Sequence, residues 1–238
     1  MNIVVVSGTG TEIGKTVVTA AVAAAAVAAG RTVAILKPAQ TGLAPEERGD
    51  ADEVVRLSGA KASAELARYP EPLAPATAAR RAGMAPVGPA QVAEAAQALA
   101  EEHDLVLVEG AGGLLVRFDE DGGTLADAAR LLGAPVLVVA PAGLGTLNST
   151  ALTAEALRAR GIEQLGVVVG SWPAAPDLAA LCNLADLPES TGAPLLGAVP
   201  EGSGALDPVA FRAAAGGWLA PALGGTWDAE AFARAAGA

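Results

Sequence analysis

Short runs of branched aliphatic residues alternate along the chain with longer stretches rich in Ala and Leu. Ile3-Val4-Val5-Val6, Leu105-Val106-Leu107-Val108 and Val167-Val168-Val169 are apolar at every position rather than at every second one. That is the pattern of strands covered on both faces, as in parallel sheets. Strands are predicted at residues 2–7, 32–37, 104–109, 135–140, 164–170 and 194–199. Helices are predicted at 14–29, 51–58, 89–102, 124–132, 148–160 and 208–219. Pro70, Pro72, Pro75, Pro86 and Pro89 punctuate residues 68–89, so a loop or a short interrupted helix is expected there. Strands joined by helices through right-handed crossovers give an α/β fold: a doubly wound, mainly parallel sheet with helices on both faces. Its ligand sites belong at the carboxyl ends of the strands. Residues 1–238 read as one domain.

Composition narrows the function classes. The chain has 238 residues, 52% hydrophobic but only 3% aromatic, and a net charge of −11 from 26 acidic and 15 basic side chains. Roughly a quarter of the residues are Ala, so the apolar content is spread over small side chains. The longest apolar run, residues 17–29 with Thr19 inside it, is shorter than the roughly 18 residues of a spanning helix, so no membrane association is expected. A lone Cys182 and a lone His103 exclude an internal disulfide and a His-rich metal site, and argue for a reducing compartment. Cys182 is expected to be a buried thiol, and His103 a solvated helix end. Trp172, Trp218 and Trp227 are too scattered for a stacking platform and read as packing residues. Met1 leads into the first apolar run without the basic start and long apolar core of a secretory signal, so a cytoplasmic protein is expected. With no Lys/Arg cluster, an acidic surface disfavours nucleic acid; small anions remain possible ligands at a local basic site.

Three segments carry candidate chemistry. After the first strand comes Gly8-Thr9-Gly10-Thr11-Glu12-Ile13-Gly14-Lys15-Thr16, followed by the Ala-rich helix. Successive backbone N–H groups and a helix start make an anion nest for phosphates; Lys15 would reach the β- and γ-phosphates and Thr16 would ligate Mg²⁺. Gly8 stands one residue further from Gly14 than the strict phosphate-loop spacing allows. The second segment is Lys37-Pro38-Ala39-Gln40-Thr41-Gly42: an ammonium where a buried strand ends implies an anionic partner. In the third, Glu109 ends another buried strand before Gly110-Ala111-Gly112-Gly113. Glu109 thus faces the phosphate loop and, with Asp50 or Asp52, offers oxygen ligands for Mg²⁺. Asp50 also suits a helix N-cap.

Together these segments resemble the dethiobiotin synthetase family of the biotin pathway, a branch of the P-loop NTPases. Gly143-Leu144-Gly145-Thr146-Leu147-Asn148 looks like that family's substrate-contacting loop, and Val199-Pro200-Glu201-Gly202 like its late nucleotide-site segment. The resemblance runs from residue 4 to about residue 202. It implies an ATP- and Mg²⁺-dependent ligase that converts 7,8-diaminononanoate and CO₂ into dethiobiotin, ADP and phosphate, in a homodimer with the active site at the subunit interface. It makes Lys37 the catalytic lysine, with Lys15 sharing the phosphate charge. Glu12, Ile13, Gly14, Lys15, Thr16, Val17, Asp50, Glu109, Gly110, Ala111, Gly112, Gly170, Ser171, Pro200, Glu201 and Gly202 would bind the nucleotide, and Glu12 would also meet a substrate amine. Thr16, Asp50 and Glu109 would hold the metal, Asp50 being preferred to Asp52 because it keeps the family's Asp-Ala step. Thr11 and Thr41 would be substrate-side hydroxyls, and Leu144, Gly145, Thr146, Leu147 and Asn148 would contact the substrate's carboxylate tail from the partner subunit.

Two departures concern specificity. Gly10 stands where many relatives carry Asp, and Gly170-Ser171 lacks the Asn that often reads the adenine edge. A site without that hydrogen-bonding partner rejects other bases weakly, so a relaxed nucleotide preference is expected. Two other classes share the phosphate loop. A partitioning ATPase carries a signature Lys five residues before Lys15, where this chain has Gly10. A cobyrinate-type amide ligase appends a glutaminase domain, for which this chain leaves no room.

Overall fold

The computed structural model describes residues 2–238. Its sheet is built from β1 (Ile3–Gly8), β2 (Val33–Thr41), β3 (Ala62–Tyr69), β4 (Leu105–Gly113), β5 (Val136–Ala140), β6 (Gln164–Trp172) and β7 (Leu195–Pro200). They lie in the order β3-β2-β4-β1-β5-β6-β7, and every pairing is parallel. The helices are α1 (Lys15–Ala28), α2 (Asp50–Ser58), α3 (Pro75–Ala82), α4 (Pro89–Glu102), α5 (Leu125–Leu132), α6 (Thr146–Ala159), α7 (Leu178–Thr191), α8 (Pro208–Ala215) and α9 (Ala229–Ala236). No helix among the described residues is long and apolar enough to cross a membrane.

The continuous apolar runs serve two cores at once, because successive strand residues point to opposite faces. Val4 and Val6 of β1 enter the core shared with α1, α2 and α8, whereas Ile3 and Val5 enter the one under α4 and α5. The same division splits Val33 and Ile35 from Ala34 and Leu36 in β2. Residues 20–26 of α1, mostly Ala, are buried throughout. Ala has the best helix propensity, and its small side chain lets the helix lie close to the sheet on one side while α2 and α8 pack on others. Six of these seven residues are Ala, so small side chains fill the most enclosed turns of the helix that follows the phosphate loop.

Each predicted strand forms, but several elements depart from the sequence reading. β3 at the sheet edge was not expected: Ala62-Ser63-Ala64-Glu65-Leu66-Ala67-Arg68-Tyr69 has no branched run, and it pairs only with β2 and stays mostly half-buried. α3 occupies part of the proline-rich interval, with Pro75 in its first turn, where the missing N–H costs nothing. α7, also unforeseen, supplies the crossover that two parallel strands require; Pro188 lies in its last turns and masks the pattern. Asp228 caps α9, whose Phe232 packs edge-on to Trp172 at 5.2 Å and beside Trp227 at 5.3 Å. α6 begins at Thr146, two residues early, and α8 stops at Ala215, before Gly216 and Gly217. Cys182 corrects another expectation: it lies on the outer side of α7 and is exposed.

The sheet opens where the site lies. β2 and β4 pair up to Leu36 opposite Val108. One residue later they part, so Lys37 and Glu109 are the first side chains in the crevice. β4 stays with β1 to Val6 opposite Glu109, then shifts register before Gly8 opposite Gly113. The crevice is at the carboxyl ends of the strands, where the chain order around β1 reverses, the expected ligand position in such sheets.

Candidate active site

The loop between β1 and α1 is wound tightly. Glu12 is the only non-glycine residue with positive φ among the described residues, at 58°, and Gly14 follows at 91° before α1 begins. A left-handed non-glycine conformation persists only where its surroundings impose it. A Cβ on Gly8 would lie 2.7 Å from Ile13 Cδ1 and 3.0 Å from Lys15 Cδ, so a side chain there would press on the two that close the loop. On the sheet side a Cβ on Gly14 would fall 2.2 Å from the Gly170 carbonyl oxygen, which fits the loop directly onto the end of β6.

Four charged side chains meet at this crevice. Lys37, 3% exposed, places Nζ 3.0 Å from Glu109 Oε1 and 2.6 Å from Asp50 Oδ2, and donates to the Gly110 carbonyl at 3.1 Å. Glu109 Oε1 also accepts from the Thr16 hydroxyl at 2.9 Å. Lys15 Nζ turns back to the Gly10 carbonyl at 2.6 Å. Burial by itself would lower the Lys37 pKa, but the carboxylates of Glu109 and Asp50 outweigh it and hold the ammonium above the usual lysine value. Lys15 has no such contact: burial first, and then the Lys37 charge, hold it below that value. The lysine most firmly kept charged is thus the one at the centre of the crevice.

Glu109 Oε2 is buried and has no hydrogen-bond partner. A carboxylate oxygen left so is costly unless a cation or donor completes it. With the Thr16 hydroxyl and the half-exposed Asp50 carboxylate it forms an all-oxygen set suited to a small hard divalent cation that keeps water and phosphate as its other ligands. The two neighbouring acids differ at the helix start. Asp52 bonds back to the Gly49 N–H at 3.3 Å and closes the capping box of α2, whereas Asp50, the first helical residue, is free to turn to Lys37. Gly49, not Asp50, is the N-cap.

A cavity of about 780 Å³ gathers much of the predicted site. Thr11, Glu12, Ile13, Gly14, Lys15, Thr16, Val17, Lys37, Thr41, Asp50, Glu109, Ala111 and Gly112 line it. Gly110 lies just behind, its carbonyl on Lys37. Gly170 touches the phosphate loop through its backbone, but Ser171, Pro200, Glu201 and Gly202 lie outside this cavity, at and beyond the ends of β6 and β7. Leu144, Gly145, Thr146, Leu147 and Asn148 are also outside it: Gly145 caps α6, and Leu144 is 93% exposed. Gln40, Pro72, Leu73, Pro75 and Val116 line the cavity without having been singled out. For Gln40 the signal was its place within the Lys-Pro-Ala-Gln-Thr-Gly segment; for the prolines it was the punctuated interval after β3.

A family model described as an AAA domain matches residues 2–207. The chain is 74% identical over 235 residues to the ATP-dependent dethiobiotin synthetase BioD of Streptomyces avermitilis, covering 99% of each chain. It is 71% identical over 232 residues to the protein of that name from Streptomyces coelicolor, covering 98% of each. Among solved structures it resembles the cell division ATPase MinD of Pyrococcus furiosus, with a TM-score of 0.53 at 20% identity over 99% of this chain and 97% of that one. A ParA family ATPase from Chlorobium tepidum gives 0.56 at 14% identity over 89% and 90%. The two structures share the fold with this chain.

Proposed function

Because the chain belongs to the ATP-dependent dethiobiotin synthetase family, we propose that it closes 7,8-diaminononanoate and CO₂ to dethiobiotin, cleaving ATP to ADP and phosphate. It is an ATP-dependent ligase of biotin biosynthesis. The observation that carries the finer reading is the pair of buried lysines beside Glu109 in one cavity with the phosphate loop. That arrangement suits a reaction whose reactants and intermediates are anions.

One amine of the substrate attacks CO₂ and loses a proton to solvent, leaving a carbamate. Lys37, kept charged by Glu109 and Asp50, balances that carbamate, and the Thr11 and Thr41 hydroxyls lining the same cavity orient the diamine. A carbamate oxygen then attacks the γ-phosphorus, the bond to the bridging oxygen breaks, and ADP leaves. Lys15 and the loop N–H groups take the charge that grows on the phosphates. The second amine finally attacks the carbamoyl carbon, its C–O bond to phosphate breaks, a proton is lost, and the cyclic urea remains. Thr16, Asp50 and Glu109 would hold Mg²⁺, which when bound neutralises phosphate charge. The orphaned Glu109 Oε2 supports this assignment.

The loop of residues 144–148 supports a homodimeric site. The exposed Leu144 precedes the start of α6, whose first turn carries no acidic residue, leaving the helix dipole available to the carboxylate tail of a substrate held by the partner. Residues 170–171 and 200–202 would flank the base. A single-domain cytoplasmic enzyme completes the reading, with the lone Cys182 exposed as a reducing compartment allows.

Incubation with diaminononanoate, bicarbonate, Mg²⁺ and ATP tests it. Phosphate should appear only when all components are present, matched by dethiobiotin; hydrolysis independent of the diamine would contradict the proposal.

A further inference from the structure

The reaction above uses Asp50 but leaves unexplained the polar cluster behind it. β2 and β3 pair so that Lys37 lies opposite Glu65 and Gln40 opposite Arg68. Arg68 grips Glu65 with two parallel bonds, Nε to Oε1 at 2.7 Å and Nη2 to Oε2 at 2.9 Å. Its remaining nitrogen, Nη1, donates to the carbonyls of Ala44 at 3.0 Å, Pro45 at 3.3 Å and Glu47 at 2.5 Å. One planar guanidinium therefore holds the irregular segment that runs from β2 to α2, most of whose side chains are exposed.

Gly49 sits directly on this ion pair: a Cβ there would lie 2.8 Å from Arg68 Nη2 and 2.9 Å from Glu65 Oε2. The next residue is Asp50. Its N–H is one of the helix-start donors without an intrahelical acceptor, and Oε1 of the buried Gln40 accepts it at 2.8 Å. The backbone of Asp50 is thus fixed by Gln40 from the sheet and by Arg68 through the segment that precedes it. From that anchor the carboxylate reaches Lys37 at 2.6 Å.

We propose that Gln40 and Arg68 are positioning residues that preset the Asp50 carboxylate for the divalent cation, an inference that rests on the assignment of Asp50 to Mg²⁺. Neither side chain touches a reactant in this role. They act by holding the ligand where it is needed, so that binding the cation does not also require ordering the segment. Lys at position 68 is not equivalent, because a single ammonium cannot bridge a carboxylate and three carbonyls in one plane.

The test compares the wild type with Asp50→Asn, Arg68→Ala, Arg68→Lys and Gln40→Met. ADP binding is measured by calorimetry in Mg²⁺ and in EDTA, and initial rates are measured across Mg²⁺ concentrations. Arg68→Ala and Gln40→Met should raise the half-saturating Mg²⁺ by roughly tenfold. For Arg68→Ala, whose side chain lies outside the cavity, ADP affinity in EDTA should stay unchanged and kcat at saturating Mg²⁺ should stay near wild type. Arg68→Lys should behave as Arg68→Ala. If Arg68→Ala does not fold, the near-isosteric Gln40→Met carries the test. A shift in Asp50→Asn with wild-type Mg²⁺ dependence in folded Gln40→Met and Arg68→Ala overturns the positioning role, even if both melt at lower temperature. An unshifted Asp50→Asn overturns the metal assignment itself, and the positioning role with it.

Discussion

Lys37 and Glu109 stand on β2 and β4 at the level where the two strands stop pairing, with Nζ 3.0 Å from Oε1 and both side chains buried. A buried ion pair offsets its desolvation only when its remaining valences are filled. Lys37 fills its own with Asp50 and the Gly110 carbonyl, whereas Glu109 keeps one oxygen without a partner. The lysine thus has its partners, whereas the carboxylate keeps an acceptor oxygen, which suits the proposed role of Glu109 as a cation ligand.

Replacing Lys37 by Ala should lower dethiobiotin formation by roughly 10²–10³-fold, the effect of removing one preorganised electrostatic group. It should also lower stability by about 3 kcal/mol, because Glu109 is left as an uncompensated buried charge. Product assays and thermal unfolding measure the two effects. Turnover near that of the wild type would remove Lys37 from the reaction.

Gly170→Ala tests the fit between β6 and the phosphate loop. Its Cβ would lie 2.0 Å from the Ile13 carbonyl oxygen and 2.6 Å from Val139 Cγ1. Backbone must shift to admit it, at a cost of about 1–3 kcal/mol. Calorimetry should show weaker ADP binding along with a lower unfolding temperature, and unchanged ADP affinity would separate the loop from this contact.

Nucleotide preference should be broad. With the base beside residues 170–171 as proposed, Gly170 brings no side chain and Ser171 is exposed, so only backbone would read it there. kcat/KM for ATP, CTP and GTP should agree within roughly tenfold, far from the 10⁴-fold or greater rejection of sites built around a buried hydrogen-bonding side chain. Strict dependence on ATP would contradict this.

Asp104 joins the starts of β4 and β2. Its Oδ2 accepts from the Thr32 N–H and hydroxyl, both at 2.8 Å, and these bonds hold its pKa below the usual aspartate value of 3.8. A depressed carboxylate stabilises the fold fully above the unfolded value, and that contribution is lost as pH falls through the lower folded value. Asp104→Asn should therefore melt at a lower temperature than the wild type at neutral pH. The difference should shrink as pH falls below 3.8, as thermal scans across pH would show.

Much of this architecture is legible in the chain. Strands β1, β2, β4 and β5 announce themselves because both their faces are buried and every position must be apolar. The spacing from Gly8 to Thr16 marks the phosphate loop because its backbone shape admits few residues, and Lys37 and Glu109 stand out because charge at the end of an apolar run demands a partner. α7 is inferable only from topology, since two parallel strands need a crossover that its own sequence does not advertise.

The sequence by itself determined the doubly wound fold, the phosphate loop and the two lysines, because each depends on local pattern: periodicity, glycine spacing, or a charge where none is tolerated unpaired. Tertiary structure alone showed Asp50 turning to Lys37 while Asp52 closes the capping box, placed the edge strand Ala62–Tyr69, and brought Arg68 and Gln40 beside the start of α2. It also left Cys182 exposed. Those outcomes depend on which neighbour a residue meets after the sheet assembles. Asp50 and Asp52 are chemically alike and two residues apart, and only the direction in which α2 leaves the sheet turns one toward Lys37 and the other back onto its own helix.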